Sequence, residues 1–577
     1  MDRSIGNPPY NANQENENDN NKNRKYTEVD KRVKATYVKE SNAQKTKVYD
    51  MYSRFFRWAS DRLGEDGILA FITNSSFVEA RNFDGFRKVI ESEFDGVYII
   101  DLGGNVRENP KLSGTTHNVF SIQTGVAISF FIKKKSESNI NQCKILYSRR
   151  PEHELATDKI DFLLRTPFQD ISFQHLQSKK DGIWLRLENN NFETLIPLID
   201  KESKNYREEF SIFKLFSSGV ITARDEWIYS IQAANVEEKV KFFCTIYESE
   251  KNRYQKSKAK AQTNDFVDRS IKWTSELEHH LVRGTVVSFS IECVVDALHR
   301  PYVKRKLYYD RVVAHRIYQM PQIFPIRKRL ENKLIAVNFG TPVFAALASG
   351  SITDYATLKF GNGSTQCLPL YRYEKNGDRI DNITDWGLTQ FQTHYNDSTI
   401  TKENIFHYTY AVLHHPAYRT KYELNLKREF PRLPFYPDFH QWTTWGKTLM
   451  DLHLNYETIE PHNLKRTEIA TKPNPKAKLK ADKTTGQIIL DDNTELTGIP
   501  TIAWDYKLGN RSALEWILDQ YKEKKPKDPT IREKFNTYKF ADYKEHVIDL
   551  LQRVCTVSIQ TMEIIQQMPD TVAHQKP

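Results

Sequence analysis

The sequence predicts an α/β protein in three parts: a sheet domain whose strands alternate with amphipathic helices, a mixed α/β middle region, and a helical C-terminal region. Three observations carry this. Between residues 43 and 132, apolar runs of strand length alternate with helical patterns, the order that builds a largely parallel sheet. From residue 141 to about 400 the patterns are mixed, and from Lys402 onward three-and-four spacing dominates. The length, 577 residues, fits three or four domains at about 150 residues each.

Each element follows from its residues. After Asn7-Pro8-Pro9-Tyr10 the chain is polar and Asn-rich to Asn23, without apolar periodicity, and reads as a flexible loop. Residues 43–63 place Val48, Met51, Tyr52, Phe55, Trp58, Ala59 and Leu63 at helical spacing, with Gly64 as the expected C-terminal cap. The run GILAFIT at 67–73, bounded by Gly and by Asn74-Ser75-Ser76, predicts a strand buried on both faces. A helix at 83–94 leads to a strand at 97–102. GVAISFFI at 125–132 is a further strand followed by three lysines, so the sheet is expected to close near Lys135 and the first domain at 140. In the middle domain, 141–400, residues 219–229, 281–291 and 307–316 read as strand or short helix with Arg-rich edges. The last domain, 401–577, carries helices at 404–413 and on to 430, broken by Pro416 and Pro431, and again at 512–567. Residues 466–500, rich in Lys, Thr and Pro, read as a linker or surface insertion with a hairpin at Thr485-Gly486.

Composition narrows the function. The chain has 84 Lys+Arg against 74 Asp+Glu, a net charge of +10, with 39% hydrophobic and 27% charged residues. These values exclude a disordered, collagenous or disulfide-built chain. Cys143, Cys244, Cys293, Cys367 and Cys555 are odd in number and widely spaced, so neither a zinc site nor an oxidised framework is expected, and a reducing compartment fits. His407, His414 and His415 lack ligand spacing, and no metal is expected. No stretch of about 18 apolar residues and no signal pattern appear, so the reading is a cytoplasmic protein without a membrane partner. Aromatic residues make up 12% of the chain. In residues 300–316 they interleave with Arg and Lys, a pattern that suits base stacking and phosphate contacts, although aromatics mostly fill cores.

The sharpest chemical signal is Asn7-Pro8-Pro9-Tyr10. An exocyclic amine such as that of adenine is a poor nucleophile because its lone pair is delocalised into the ring. A catalyst must accept hydrogen bonds from its N–H groups while the nitrogen becomes tetrahedral. The Asn7 side-chain carbonyl and the Pro8 backbone carbonyl can do so, and two prolines hold these acceptors in place before reaction. Tyr10 offers a π face to a base swung out of the duplex. The alternative is a turn with a short polyproline segment.

Further segments occur with the tetrapeptide in one order: EDGILAFITNSSF, FDGFRKVIESEF, VYIIDLGGNVRENP, NVFSIQTGVAISFFIKK, FSSGVITARDEWIY, HRPYVKRKLYYDR, YQMPQIFP, HHPAYRTKYELNLKREFPRLPF and GIPTIAWDYKLGNRSALEWILDQY. Together they resemble the amino-methylating DNA methyltransferases, specifically the methylase and target-recognition portion of the single-chain type ISP restriction-modification enzymes, over nearly the whole chain. The resemblance implies the C-terminal half of a Rossmann-like methyltransferase sheet, a target-recognition domain and a helical C-terminal domain. It implies methyl transfer from S-adenosylmethionine to adenine N6 in double-stranded DNA, in a prokaryotic cytoplasm. Asn7, Pro8, Pro9 and Tyr10 would be the catalytic motif, with Tyr10 and Phe120 stacking on the target base. Arg224, in the segment resembling the recognition region, and Arg300, Lys304, Arg305 and Arg311, in the basic and aromatic segment, are the candidate DNA contacts.

In that family a Gly-rich cofactor turn precedes the tetrapeptide, whereas six residues precede it here. The expectation is a chain that is inactive alone and depends on a separate N-terminal methylase or restriction chain. Two Gly-bearing segments, 101–105 and 360–364, lack the helix a cofactor loop would lead into and read as turns. A non-catalytic DNA-binding specificity protein or relic is the alternative. A protein glutamine methyltransferase, which uses a similar tetrapeptide, does not need some 400 basic, aromatic-rich residues beyond the methylase fold.

Overall fold

The computed structural model describes residues 2–9, 26–41, 50–104, 116–122, 124–134, 143–151, 154–176, 182, 184–185, 190–199, 210–257, 267–328, 330–341, 343–361 and 363–572. The chain divides into two units, Met1–Asn189 and Asn190–Pro577.

The first unit is built on a six-stranded sheet. Its strands are β1 (Asp2–Gly6), β2 (Gly67–Asn74), β3 (Gly96–Gly103), β4 (Val126–Lys133), β5 (Lys144–Arg149) and β6 (Gln174–Leu176). They lie in the order β1-β2-β4-β3-β5-β6. β1 is parallel to β2 and β5 to β3, whereas β4 runs antiparallel to both of its neighbours. The expected α/β class is therefore observed, and the strands expected at 67–73, 97–102 and 125–132 are β2, β3 and β4. The sheet does not close near Lys135: β5 and β6 extend it, because Ile145 and Tyr147 bury beside β3 after the polar stretch that reads as a boundary.

Helices α1 (Met51–Ser60) and α2 (Asp84–Glu93) cover one face of this sheet. The buried stripe of α1 is Tyr52, Phe56 and Ala59, whereas Phe55 and Trp58 face outward. Phe56 is the hub. Its ring centroid lies 5.1 Å from Phe71 of β2, 5.3 Å from Phe86 of α2 and 5.1 Å from Phe131 of β4. Edge and stacked contacts of this kind add about 0.5–1.5 kcal/mol each beyond burial. A bidentate pair of Arg57 with Glu93, at 2.9 Å on both oxygens, ties α1 to α2. The helix ends at Ser60 with Asp61 as its cap, so Gly64 is no cap; its N–H donates instead to the Asp2 carboxylate at 2.8 Å and anchors the start of β1. β2 alternates buried and half-buried positions, so its second face is covered only in part.

The second unit holds three four-stranded sheets and a set of long helices around two apolar cores. One sheet joins Ile352–Thr353, Val294–Arg300, Val303–Tyr308 and Tyr229–Ser230; another joins Ala346–Ser349, Leu334–Phe339, Ser364–Pro369 and Ser217–Ser218. The helical region contains Lys402–His414, Phe439–Leu454, Ala513–Gln520 and Lys544–Gln566. Pro416 opens a helix at its first position, where it lacks only an N–H that would be unpaired anyway. Residues 466–500 are not a linker. They form the third sheet, from Lys465–Glu468, Thr494–Thr497, Gln487–Asp491 and Ala477–Asp482, and Ile488, Leu490 and Leu496 are fully buried. The expected turn at Gly486 is present, with φ +65°.

Gly446 sets the contact between Phe439–Leu454 and Lys402–His414. A Cβ at this position would lie 1.8 Å from the His407 carbonyl oxygen, so only glycine allows the two backbones to meet. Gly446→Ala should therefore destabilise the unit by about 1–3 kcal/mol, read as an earlier denaturant midpoint. An unchanged midpoint would show that the helices separate freely.

Candidate functional site

The carboxyl ends of parallel strands are where α/β sheets place their ligands, and here three segments meet there. β1 pairs with β2 through Gly6 opposite Phe71, and the chain leaves it as Asn7-Pro8-Pro9. Asn7 and Pro9 are exposed while Pro8 is buried, so the prolyl ring anchors the segment and leaves Asn7 outward. β2 ends at Asn74, whose side-chain oxygen accepts from the N–H and the hydroxyl of Ser76 at 2.8 and 2.6 Å. Because β4 is reversed, its first residue, Val126, lies opposite Asn74 on one side and Gly103 on the other. The loop entering β4 is thereby delivered to the same end.

That loop carries Phe120, which is 42% exposed. The buried Asn118 organises it: its amide donates to the carbonyls of Gly104 and Thr124 at 3.2 and 2.6 Å, and its oxygen accepts from the N–H of Phe120 at 2.9 Å. From behind, the buried Lys159 ammonium donates to the His117 carbonyl at 2.7 Å. Gly104, at φ +74°, is required because a Cβ would sit 2.7 Å from that same carbonyl. Neither Asn118 nor Lys159 stands out in the sequence. The only signal is an Asn two residues before an exposed aromatic, the spacing at which its side chain caps the backbone. Tyr10 lies outside the described residues.

The two Gly-bearing segments are filled by their own chain. Asp101 is buried at the end of β3, accepting from the Tyr147 hydroxyl at 2.6 Å and the Gly103 N–H at 2.8 Å, and burial raises its pKa. Phe360 packs on Trp516 with centroids 5.6 Å apart. Asp101 and Phe360 are thus engaged within the chain itself.

In the second unit the candidate DNA contacts separate. Arg224 is a correction: its side chain is fully buried, donating to the Val313 carbonyl at 2.8 Å and the Thr274 hydroxyl at 2.6 Å, and burial pulls it down to about 9. Its neighbour Trp227 is also buried and donates to Asp528 at 2.8 Å. Arg300 pairs with the buried Asp354 at 3.0 Å, and Lys304 with Glu457 at 2.5 Å. Arg305 donates to the Gln520 carbonyl at 3.1 Å and lies 4.5 Å over the Tyr521 ring. Arg311 alone of the five is exposed without an ionic partner among the described residues. The interleaved Tyr302, Tyr308 and Tyr309 are core residues. His414 and His415 are likewise internal, bonded to the Tyr410 carbonyl and the Tyr436 hydroxyl.

A sheet unit with an Asn-Pro-Pro segment and an exposed aromatic at one end is methylase-like, and a second unit with separate cores follows it in the chain. The chain belongs to the Type ISP C-terminal specificity domain family, whose model matches residues 211–550, while residues 2–106 match the Eco57I restriction-modification methylase model. Solved structures agree. The cryoEM DrdV–DNA complex is 46% identical with a TM-score of 0.82, over 99% of this chain and 57% of that one. A nuclease-deletion mutant of the Type ISP restriction-modification enzyme LlaGI, in complex with a DNA substrate mimic, is 29% identical with a TM-score of 0.76, over 100% of this chain and 53% of that one. The ATP-dependent Type ISP enzyme LlaBIII, bound to DNA, is 26% identical with a TM-score of 0.78, over 100% of this chain and 37% of that one. The chain thus spans between 37% and 57% of these solved relatives. No curated protein matches it. Among the described residues, no helix is long and apolar enough to cross a membrane.

Asn118→Ala should leave the N–H of Phe120 without its acceptor, a loss of about 0.5–1.5 kcal/mol for a partly exposed hydrogen bond. Amide hydrogen exchange across residues 116–122 should accelerate while β4 stays protected. Unchanged exchange there would remove Asn118 as the organiser.

Proposed function

We propose that this chain carries the amine-holding part of an S-adenosylmethionine-dependent adenine-N6 DNA methylase, together with the region that selects its DNA sequence. The observation that carries the reading is the meeting of Asn7-Pro8-Pro9 and the Phe120 loop at the carboxyl end of one sheet. The matched methylase model and the DNA held in the similar structures support it. S-adenosylmethionine would supply the methyl group. The turn at Asp101–Gly104 is closed by Tyr147, His117 and Asn118 and would not hold it.

What this chain contributes is the amine side of the transfer. The target base leaves the duplex stack, since its amine is inaccessible within it. Its two N6–H bonds point at the Asn7 Oδ1 and the Pro8 carbonyl. Accepting a hydrogen bond from each N6–H draws the nitrogen lone pair out of conjugation with the ring and favours a tetrahedral nitrogen. Because the Pro8 ring is buried and φ is fixed at both prolines, the acceptors need no reordering as charge develops. Phe120 and Tyr10 would hold the ring by stacking.

In the enzyme that contains this chain, Asn7→Ala should lower the methylation rate by about 100-fold or more, and Tyr10→Ala and Phe120→Ala should weaken use of duplex DNA. Undiminished methylation by Asn7→Ala in a labelled-methyl assay would remove the mechanism. Duplex binding by the chain should weaken linearly in log–log form as salt rises, with a slope near −0.9 per phosphate contacted. A flat salt dependence would exclude phosphate contacts.

A further inference from the structure

The cations of the second unit change character at Tyr309. Up to that point each candidate is occupied: Arg300 by Asp354, Lys304 by Glu457, Arg305 by the Gln520 carbonyl, and Lys306 by Asp296 at 2.8 Å. Residues 309–328 hold four Lys or Arg against one acid, Asp310. That carboxylate is engaged locally, accepting from the N–H groups of Val312 and Val313 at 2.8 and 3.0 Å. Arg311, Arg327 and Lys328 are exposed, and Arg311 and Lys328 have no ionic partner among the described residues.

This basic lobe is rigidly seated. Met320 and Ile323 are fully buried, and the Tyr309 hydroxyl donates to the Phe324 carbonyl at 3.3 Å. Arg316 and Ile221 exchange both backbone hydrogen bonds at 2.8 Å. Arg224 lies underneath, its guanidinium on the Val313 carbonyl and on Thr274, the residue that caps helix Ser275–Val282. A buried guanidinium without an acid partner is costly, and here it locks the turn that presents Arg311.

On this base the outer surface is strained. Tyr318, 42% exposed, has φ +45°, and Arg327 has φ +61°. Left-handed backbone at non-glycine residues persists only where the surroundings over-determine it, and it concentrates at functional sites. Beside Tyr318, the Gln322 amide donates to the Gln319 side-chain oxygen. Whichever way the two amides turn, their mutual bond leaves one amide nitrogen and one carbonyl oxygen of the pair for another partner. That donor and acceptor complement N7 and the N6 amino group on the major-groove edge of adenine.

We infer that residues 309–328 are the base-reading element of the specificity region, with Gln319 and Gln322 on an adenine edge, Tyr318 against the adjoining thymine methyl, and Arg311, Arg327 and Lys328 on flanking phosphates. Arg224 is a positioning residue for this element. The inference rests on the DNA reading proposed above, and it concerns the recognition sequence as distinct from the base that is methylated.

The test is selection of bound duplexes from a randomised library by the full chain, followed by sequencing, with thermal melts to confirm that each variant is folded. The wild type should enrich a motif containing adenine. Gln319→Ala and Gln322→Ala should each lower the preference for adenine at one position, by between about 5-fold and about 150-fold, with the rest of the motif retained. Arg311→Ala should weaken binding to all sequences alike and reduce the salt slope by about one. A motif unchanged in both glutamine variants overturns the assignment while leaving the DNA reading intact. A wild type that enriches no motif overturns both.

Discussion

The antiparallel seating of β4 between β2 and β3 is the constraint on which the candidate catalytic site depends. Eight consecutive residues of β4 pair with β2, from Val126 opposite Asn74 to Lys133 opposite Gly67, and the same strand pairs with β3 on its other edge. A strand bonded on both edges cannot slip by one residue without turning Ala127, Ser129 and Phe131 away from the core. Its reversal places the start of β4 where β1, β2 and β3 end. The Phe120 loop therefore lies at the same end of the sheet as the Asn-Pro-Pro segment, although more than a hundred residues separate them. The aromatic hub at Phe56 makes this arrangement cohere, because its contacts reach β2, β4 and α2 at once.

The second unit shows how an apparently basic surface is divided. A segment such as 300–316 reads in sequence as one alternation of cations and aromatics. In the fold, the strand pairing of Val294–Arg300 with Val303–Tyr308 sends the tyrosines to the core and sets Lys306 opposite Asp296. Asp354, which opposes Arg300, comes from fifty residues downstream, and Glu457 from still further. Beyond the strand Arg316 still meets Glu276 at 3.0 Å, whereas Arg311 stands exposed without an acid among the described residues.

Much of this was legible beforehand, for identifiable reasons. The strands at 67–74, 96–103 and 126–133 are continuous apolar runs, and the helices at 402–414 and 544–566 carry long periodic patterns, so their local signals agree with their tertiary roles. Where local and tertiary signals diverge, the reading failed. The helix at 51–60 has two apolar stripes, and only packing tells the buried Phe56 from the outward Phe55 and Trp58. Residues 466–500 are polar enough to pass for a linker because one face of their sheet is solvated, while a few residues, Leu479, Ile488, Leu490 and Leu496 among them, supply the other. Arg224 sits in a polar segment yet is internal, since its partners are a carbonyl ninety residues away and a helix cap.

The sequence by itself determined the α/β class and the restricted backbone of the Asn-Pro-Pro segment, because strand and helix periodicities and proline's fixed φ are properties of neighbouring residues. The tertiary structure alone decided which segments share that end of the sheet and which cations remain exposed. Both depend on contacts between residues distant in the chain: the reversed strand that carries Phe120 to the end of β1, and the acids that close on Arg300 and Lys304. Charge and aromaticity are carried by single residues, but whether they face a ligand or a core is settled only when the chain is packed.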